Sequence, residues 1–403
     1  MTLENSNLFK SIKVGPVTLK NRIVHAPTTR SRVTLDHIPT DSMLKYYEER
    51  AENNGGLIIL EGAFVEEEFT NQLYFPSWSN EKTGKAMKII VDAVHKKGSY
   101  ISAQLLYIGR MASLMMMKKN VDDKYDPIYA PSPIFMDDQQ KKDFEDNNIE
   151  LKELSIDQIE NYIKNFAKIA KKVINESGFD FVEIHSAHMT LLDQFIQPGS
   201  NKRTDKYGGS IENRSRIILE IVDALIETIG SNRIGIKFSP YMKFMGGEGE
   251  DSEINPIVTW GYILGELQKR ANEGKELAYV SVVEPRSQLI PTEEIKVKVN
   301  FDISWVRFFW KGILIRNGGY ADPKTIDKLE NVINNDDKLL IGFGRYYSSN
   351  PDLVERLKKG YELTHYEREY FYTPMINKGY LGFGKYGEER DFSKDNVVPK
   401  PLI

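Results

Sequence analysis

The chain contains no cysteine. Disulfides, thiolate nucleophiles and cysteine-ligated zinc are thereby excluded, and a reducing compartment such as the cytoplasm fits. No apolar run approaches the ~18 residues of a membrane span. No basic block occurs, and 54 Lys and Arg stand against 58 Asp and Glu, for a net charge of −4. That balance argues against nucleic acid or an anionic membrane as a partner. The first residues, MTLENSNLFKSIKVG, lack the charged-then-apolar layout of a signal peptide. The last, VVPKPLI, carry no lipidation or retrieval signal. Histidine is scarce, with six in 403 residues. Apolar residues are not: at 40% they suffice for one large core or two smaller ones.

Short runs rich in β-branched residues recur along the chain. They are RIVHAP (22–27), GLIILEGAF (56–64), SYISAQLL (99–106), FDFVEIHSA (179–187), RIGIKFSP (233–240), LAYVSVVEP (277–285), GILIRNGG (312–319) and KLLIGFGR (338–345). Near-continuous apolar strands read as parallel and covered on both faces. Helical patterns separate them. Ser155 and Gln158 make a capping box before an apolar face of Ile156, Ile159, Ile163, Phe166, Ala170 and Val173, and Gly178 stops the run. TWGYILGELQKRANEG (259–274) repeats the scheme. Asp322-Pro323 and Asn350-Pro351 read as N-cap and first helical residue, with Gly360 closing the last helix.

Eight strands alternating with helices predict an α/β fold, a single (β/α)8 TIM barrel over 1–403. The length requires insertions. The longest candidate is about 107–154, a polar and Pro-containing stretch after strand three, expected as a capping excursion over the barrel mouth.

Barrel chemistry gathers at the C-terminal ends of the strands. Those ends carry Pro27, Thr28 and Thr29; Glu61 and Gly62; Gln104; His185 and His188; Lys237; Glu284 and Arg286; Asn317, Gly318 and Gly319; and Gly342, Gly344 and Arg345. The glycines after the last two strands, with Arg345, suit a phosphate, or else they only turn a tight corner. The pair in EIHSAHMTLLDQF (183–195) is open to several uses. These are a metal, a proton transfer, two neutral donors to a ligand oxygen, or one packed and one solvated ring. A metal is the weakest of these, because the other four histidines do not lie at strand ends.

Several segments carry a family resemblance: LKNRIVHAPTTR (19–30), EGAF (61–64), AQLLYIGR (103–110), VEPR (283–286), WKGILIRNGGYA (310–321), LIGFGRYYSSNPDLVERL (340–357) and YEREYFYTP (366–374). The longest is EIHSAHMTLLDQFIQPGSNKRTDKYGGSIENRSR (183–216). Along nearly its whole length the chain resembles the old yellow enzyme family of FMN-dependent NAD(P)H oxidoreductases, in its fungal branch. The resemblance implies bound FMN, with NADPH or NADH as reductant, in a ping-pong reaction. Hydride would pass from flavin N5 to the β-carbon of an electron-poor alkene, an α,β-unsaturated carbonyl or a nitro compound. It implies that Pro27, Thr29, Gly62, Gln104 and the position of Lys237 surround the isoalloxazine. Gly318, Gly344 and Arg345 would hold its phosphate. His185 and His188 would bond a substrate oxygen, with Phe371 and Tyr372 on the substrate side. No metal is implied. The partner is a small alkene, phenol or steroid, and the state a monomer or homodimer.

Three positions depart from the family pattern. Thr190 stands where a tyrosine usually protonates the α-carbon, so it is a weaker candidate for that catalytic role, with water or Tyr372 as other sources. Lys237 replaces an arginine, keeping the charge and losing the planar fork. Leu106 replaces an aromatic residue beside the flavin, which should reshape the substrate pocket. The alternatives to an ene reductase are an FMN-containing isomerase or nitroreductase variant, or a phenol- or steroid-binding flavoprotein with weak turnover.

Overall fold

Eight of the β-branched runs pair in parallel and close on themselves. The computed structural model describes residues 2–52, 54–66, 72–120, 122–285, 302–322 and 325–403. The barrel strands are β1 (Ile23–His25), β2 (Leu57–Ile59), β3 (Tyr100–Leu106), β4 (Phe181–Ser186), β5 (Ile234–Phe238), β6 (Tyr279–Val283), β7 (Leu314–Asn317) and β8 (Leu339–Phe343). They pair in chain order, and β8 returns to β1 through Ile341–Ile23, Gly342–Val24 and Phe343–His25. Helices lie between the strands. The fold is the expected (β/α)8 barrel.

The barrel interior changes character along its axis. At the N-terminal end an antiparallel hairpin, Ile12–Val14 with Val17–Leu19, supplies Val14 and Leu19 to an apolar plug with Val24, Leu57, Ile59, Ile315 and Leu340. Higher up, the inward positions turn polar. Ser102 meets the Tyr279 hydroxyl at 3.0 Å. Asn317 donates to Ser281 Oγ at 2.8 Å. Gln104 donates to Glu183 Oε1 at 2.7 Å. Parallel register carries this alternation round the ring, with Gln104 opposite Glu183 and Lys237 opposite both His185 and Ser281. A polar layer therefore underlies the mouth.

Helix signals are located well at some ends and poorly at others. The capping box of Ser155 and Gln158 is present and starts Ile156–Asn175. The next anticipated helix begins earlier than its motif, at Pro256, capped by Asn255. Asn350 does not cap the last helix. Its side chain donates to the carbonyls of Tyr346 (2.7 Å) and Thr364 (2.8 Å), so it ties down the C-terminal segment instead. That helix runs Leu353–Lys359 after Asp352 and ends at Gly360 with φ 71°. Pro323 and Arg286 lie outside the described residues.

The 107–154 stretch is folded. It contains a parallel strand pair, Ile128–Ala130 with Leu151–Glu153, and the helix Asp138–Asp146. Arg110 donates to the carbonyls of Ile134 (3.0 Å) and Gly246 (3.2 Å), and Arg203 to Pro131 (3.1 Å) and Leu154 (2.6 Å). These bonds pin the excursion against the loops after β4 and β5. None of its described residues lines the cavity at the mouth.

Candidate active site

A cavity of about 240 Å³ opens at the C-terminal ends of the strands. Its walls include Pro27, Thr28 and Thr29 after β1, Gln104 on β3, His185 and His188 at β4, and Lys237 on β5. Asn317, Gly318, Gly319, Gly342, Gly344 and Arg345 follow from β7 and β8, and Phe371 and Tyr372 from the C-terminal segment. Most of the predicted site thus converges on one place.

Three predicted residues do not line it. Gly62 stands behind the wall, where a Cβ would lie 2.4 Å from Leu106 Cδ2 and 3.2 Å from Gln104 Oε1. A side chain there would push the Leu106 tip aside. Leu106 is buried in an apolar cluster with Phe64, Ile108, Met117 and Ile128, at the foot of the excursion, so it shapes the pocket from outside. Thr190 is buried, and its hydroxyl lies 2.9 Å from the Ala187 carbonyl and 3.2 Å from that of His185. A hydroxyl bonded to backbone carbonyls behind the wall is badly placed to protonate a substrate.

The histidines are set by the backbone around them. Their ring centroids are 5.6 Å apart and the rings are nearly perpendicular. The amide of Ala187 donates to His185 Nδ1 at 3.3 Å. In the neutral ring the proton is then on Nε2, which becomes a donor. Burial, with His188 and Lys237 nearby, holds His185 well below the ordinary range. Burial and Lys237 lower His188 to about 3. Both rings are therefore neutral near pH 7 and able to donate without carrying charge. Lys237 is also buried, and burial lowers its pKa against the opposing pull of Glu183.

The turn that carries His188 has an uncommon backbone. His188 and Met189 both have positive φ, 56° and 58°, and Thr190 N donates to Ala187 O at 3.2 Å. Two consecutive left-handed residues make the pattern of a type I′ turn, which ordinarily selects Gly, Asn or Asp.

The opposite wall is a glycine cradle. Gly318 and Gly319 have φ 125° and 69°. A Cβ on Gly342 would lie 1.9 Å from Asn317 Oδ1, so backbone alone fits beside that strand. Arg345 opens the segment Arg345–Ser349, and its Nη1 donates to the Tyr366 hydroxyl at 3.3 Å. Thr28 Oγ1 and Asn317 Oδ1 are buried with no protein partner. A cradle without side chains, an arginine fork, a buried lysine and orphaned polar atoms together fit a phosphate-bearing planar cofactor such as FMN.

Two arginines that sequence reasoning passed over hold the cavity wall formed by the C-terminal segment. Arg30 donates to the carbonyls of Phe371 (3.3 Å) and Gly379 (2.7 Å). Arg32 donates to those of Ile376 (2.7 Å), Phe371 (2.9 Å), Tyr370 (3.0 Å) and Lys378 (3.3 Å). Glu61 is the buried carboxyl facing them. It accepts from Arg30 N at 3.2 Å, and burial raises it to about 7. The sequence offers only two arginines two apart in APTTRSR directly after a strand; their burial, which demands partners, shows in the structure.

Comparison with known proteins agrees with this geometry. Residues 7–364 match the model of the NADH:flavin oxidoreductase / NADH oxidase family. A probable NADPH dehydrogenase of Candida albicans is 42% identical over 402 residues, 99% of this chain and 94% of that protein. Enoate reductase 1 of Kluyveromyces lactis is 40% identical over 397 residues, 96% of each. The crystal structure of Old Yellow Enzyme from a Pichia species is 45% identical and superposes with a TM-score of 0.91, covering 100% of both chains. The chain belongs to the NADH:flavin oxidoreductase / NADH oxidase family, among its FMN-dependent old yellow enzymes.

Proposed function

We propose that the chain is an NAD(P)H-dependent reductase of activated alkenes, α,β-unsaturated carbonyls or nitro compounds. The observation that carries this reading is the pair His185 and His188, both neutral, His185 buried and His188 half-buried, facing one cavity. Bound FMN supplies the hydride chemistry, between a nicotinamide and the β-carbon of the alkene. Gln104 and Lys237 would hold its ring, and Gly318, Gly344 and Arg345 its phosphate. Pro27 and Thr29 would flank the ring. The histidines donate to the substrate oxygen and stabilise the negative charge that grows there during reduction, as preorganised donors do. Phe371 and Tyr372 cover the substrate. The names of the Candida and Kluyveromyces relatives, an NADPH dehydrogenase and an enoate reductase, support the reading.

The carbonyl-bound hydroxyl of Thr190 supports a second reading. An acid at the α-carbon is not needed for nitro reduction, for some isomerisations, or for holding a phenol or steroid with weak turnover. Anaerobic stopped flow separates the readings. NADPH is expected to bleach the flavin and 2-cyclohexenone to restore its colour. Bleaching by neither NADPH nor NADH overturns the reductase reading, and recovery of colour with cyclohexenone overturns the binding-only one.

A further inference from the structure

We infer that Asp193 and Ser239 are positioning residues that hold the His188–Met189 turn in its left-handed form and so fix one of the two substrate-oxygen donors. This rests on the reading of the histidine pair as that clamp. The contacts converge on two successive amides. His188 N donates to Ser239 Oγ at 2.7 Å, and Met189 N donates to Asp193 Oδ2 at 2.9 Å. Ser239 Oγ in turn lies 3.5 Å from the same Asp193 oxygen. One carboxyl oxygen therefore closes both bonds. Gln194 completes the set by donating to the Met189 carbonyl at 2.5 Å. Asp193, Ser239 and Gln194 are all buried, and none of them lines the cavity.

The turn needs this support because its sequence does not favour it. Histidine tolerates positive φ better than most residues, but methionine has no short polar side chain to support it and is a poor second central residue for a type I′ turn. Strained backbone of this kind persists only where its surroundings over-determine it. Without the two acceptors the amides of His188 and Met189 lose their partners, Met189's in the buried interior, and the backbone is free to move to an ordinary conformation. His188 leaves its place, while His185, on the strand itself, stays. The carboxyl accepts Met189 N–H whether it is protonated or not, so an amide in its place can do the same.

The test uses the FMN-loaded protein and a para-substituted phenol, whose complex with the flavin is read as a long-wavelength charge-transfer band. Ser239→Ala and Asp193→Ala are each expected to weaken the phenol and to lower kcat/KM for 2-cyclohexenone by about a hundredfold, the scale of a displaced catalytic group. FMN content and the rate of flavin reduction by NADPH should be unchanged. Asp193→Asn should keep the wild-type band. Met189→Gly placed in the Asp193→Ala background should restore it, because glycine takes the left-handed conformation unaided. His188→Ala combined with Asp193→Ala should lose no more than His188→Ala alone. A wild-type band in Asp193→Ala or Ser239→Ala, or additive losses in that pair, overturns the inference. Should Asp193→Ala fail to fold, Ser239→Ala decides. A wild-type protein that neither gives the band nor reduces cyclohexenone overturns the clamp, and with it this inference.

Discussion

Lys237 stands directly across the β4–β5 pair from His185, so a buried cation and a neutral donor share one rung of the barrel. Lysine keeps the charge of the arginine that the family resemblance implies here but lacks its fork. Lys237→Met should cost the cofactor a hydrogen bond from a charged group, ~1.5–3 kcal/mol, and weaken FMN by about 10- to 100-fold. Lys237→Arg should bind at least as tightly as wild type. Fluorescence titration of apoprotein with FMN measures both, and equal affinity in all three proteins would remove Lys237 from the cofactor wall.

Thr190→Ala deletes a hydroxyl that contacts two carbonyls. A stability loss of ~1 kcal/mol is expected. The oxidative half-reaction with cyclohexenone should change by less than ~0.5 kcal/mol in barrier, about twofold in rate. A tenfold or larger slowing in stopped flow puts the hydroxyl in the proton path and contradicts the structure.

Asp193 gives a pH signature. Burial raises its carboxyl from 3.8 to about 7, so folding favours the protonated form. That contribution is complete below the unfolded value and is lost as pH rises through about 7. Asp193→Asn does not titrate. Its stability relative to wild type should therefore rise between about pH 4 and pH 7, by at most about 1.4 kcal/mol per pH unit. Urea unfolding at pH 5 and pH 8 measures it, and a constant difference excludes the raised carboxyl.

Arg32→Met removes bonds to four carbonyls of the 370–378 stretch. A loss of ~2 kcal/mol or more is expected. New proteolytic cuts within 366–380 and a raised KM for enones should accompany it, with FMN retained. Resistance to protease equal to wild type would show that the wall stands without this arginine.

The barrel was legible because its signals are local. Runs such as LIIL and YVSVV alternate with capped amphipathic helices, and strand ends then predict which residues meet at the mouth. Pairings that depend on distant chain were not legible. Nothing near Arg32 announces Ile376. Nothing in HSAHMT announces a type I′ turn, because its usual glycine or asparagine is missing and its acceptors come from a helix and from the residue that follows another strand. Asp193 reads as one more helical residue in LLDQF until its carboxyl is seen against Met189 N. Leu106 failed for a different reason: alternation fixes the face a strand residue leaves from, while the excursion decides where it packs. Asn350 carried a correct cap signal, overruled by the carbonyls of Tyr346 and Thr364.

The arginine clamp joins the two ends of the cavity's chain order, since Arg30 and Arg32 follow β1 and their carbonyl partners lie at 370–379. During synthesis, the first strand must wait for β8 before the ring can close, and its arginines must wait longer still for their acceptors. A nascent chain halted before residue 370 has every described barrel strand and both histidines but lacks the wall built from the 370–379 segment. The wall that Arg30 and Arg32 hold therefore assembles only after the barrel has closed.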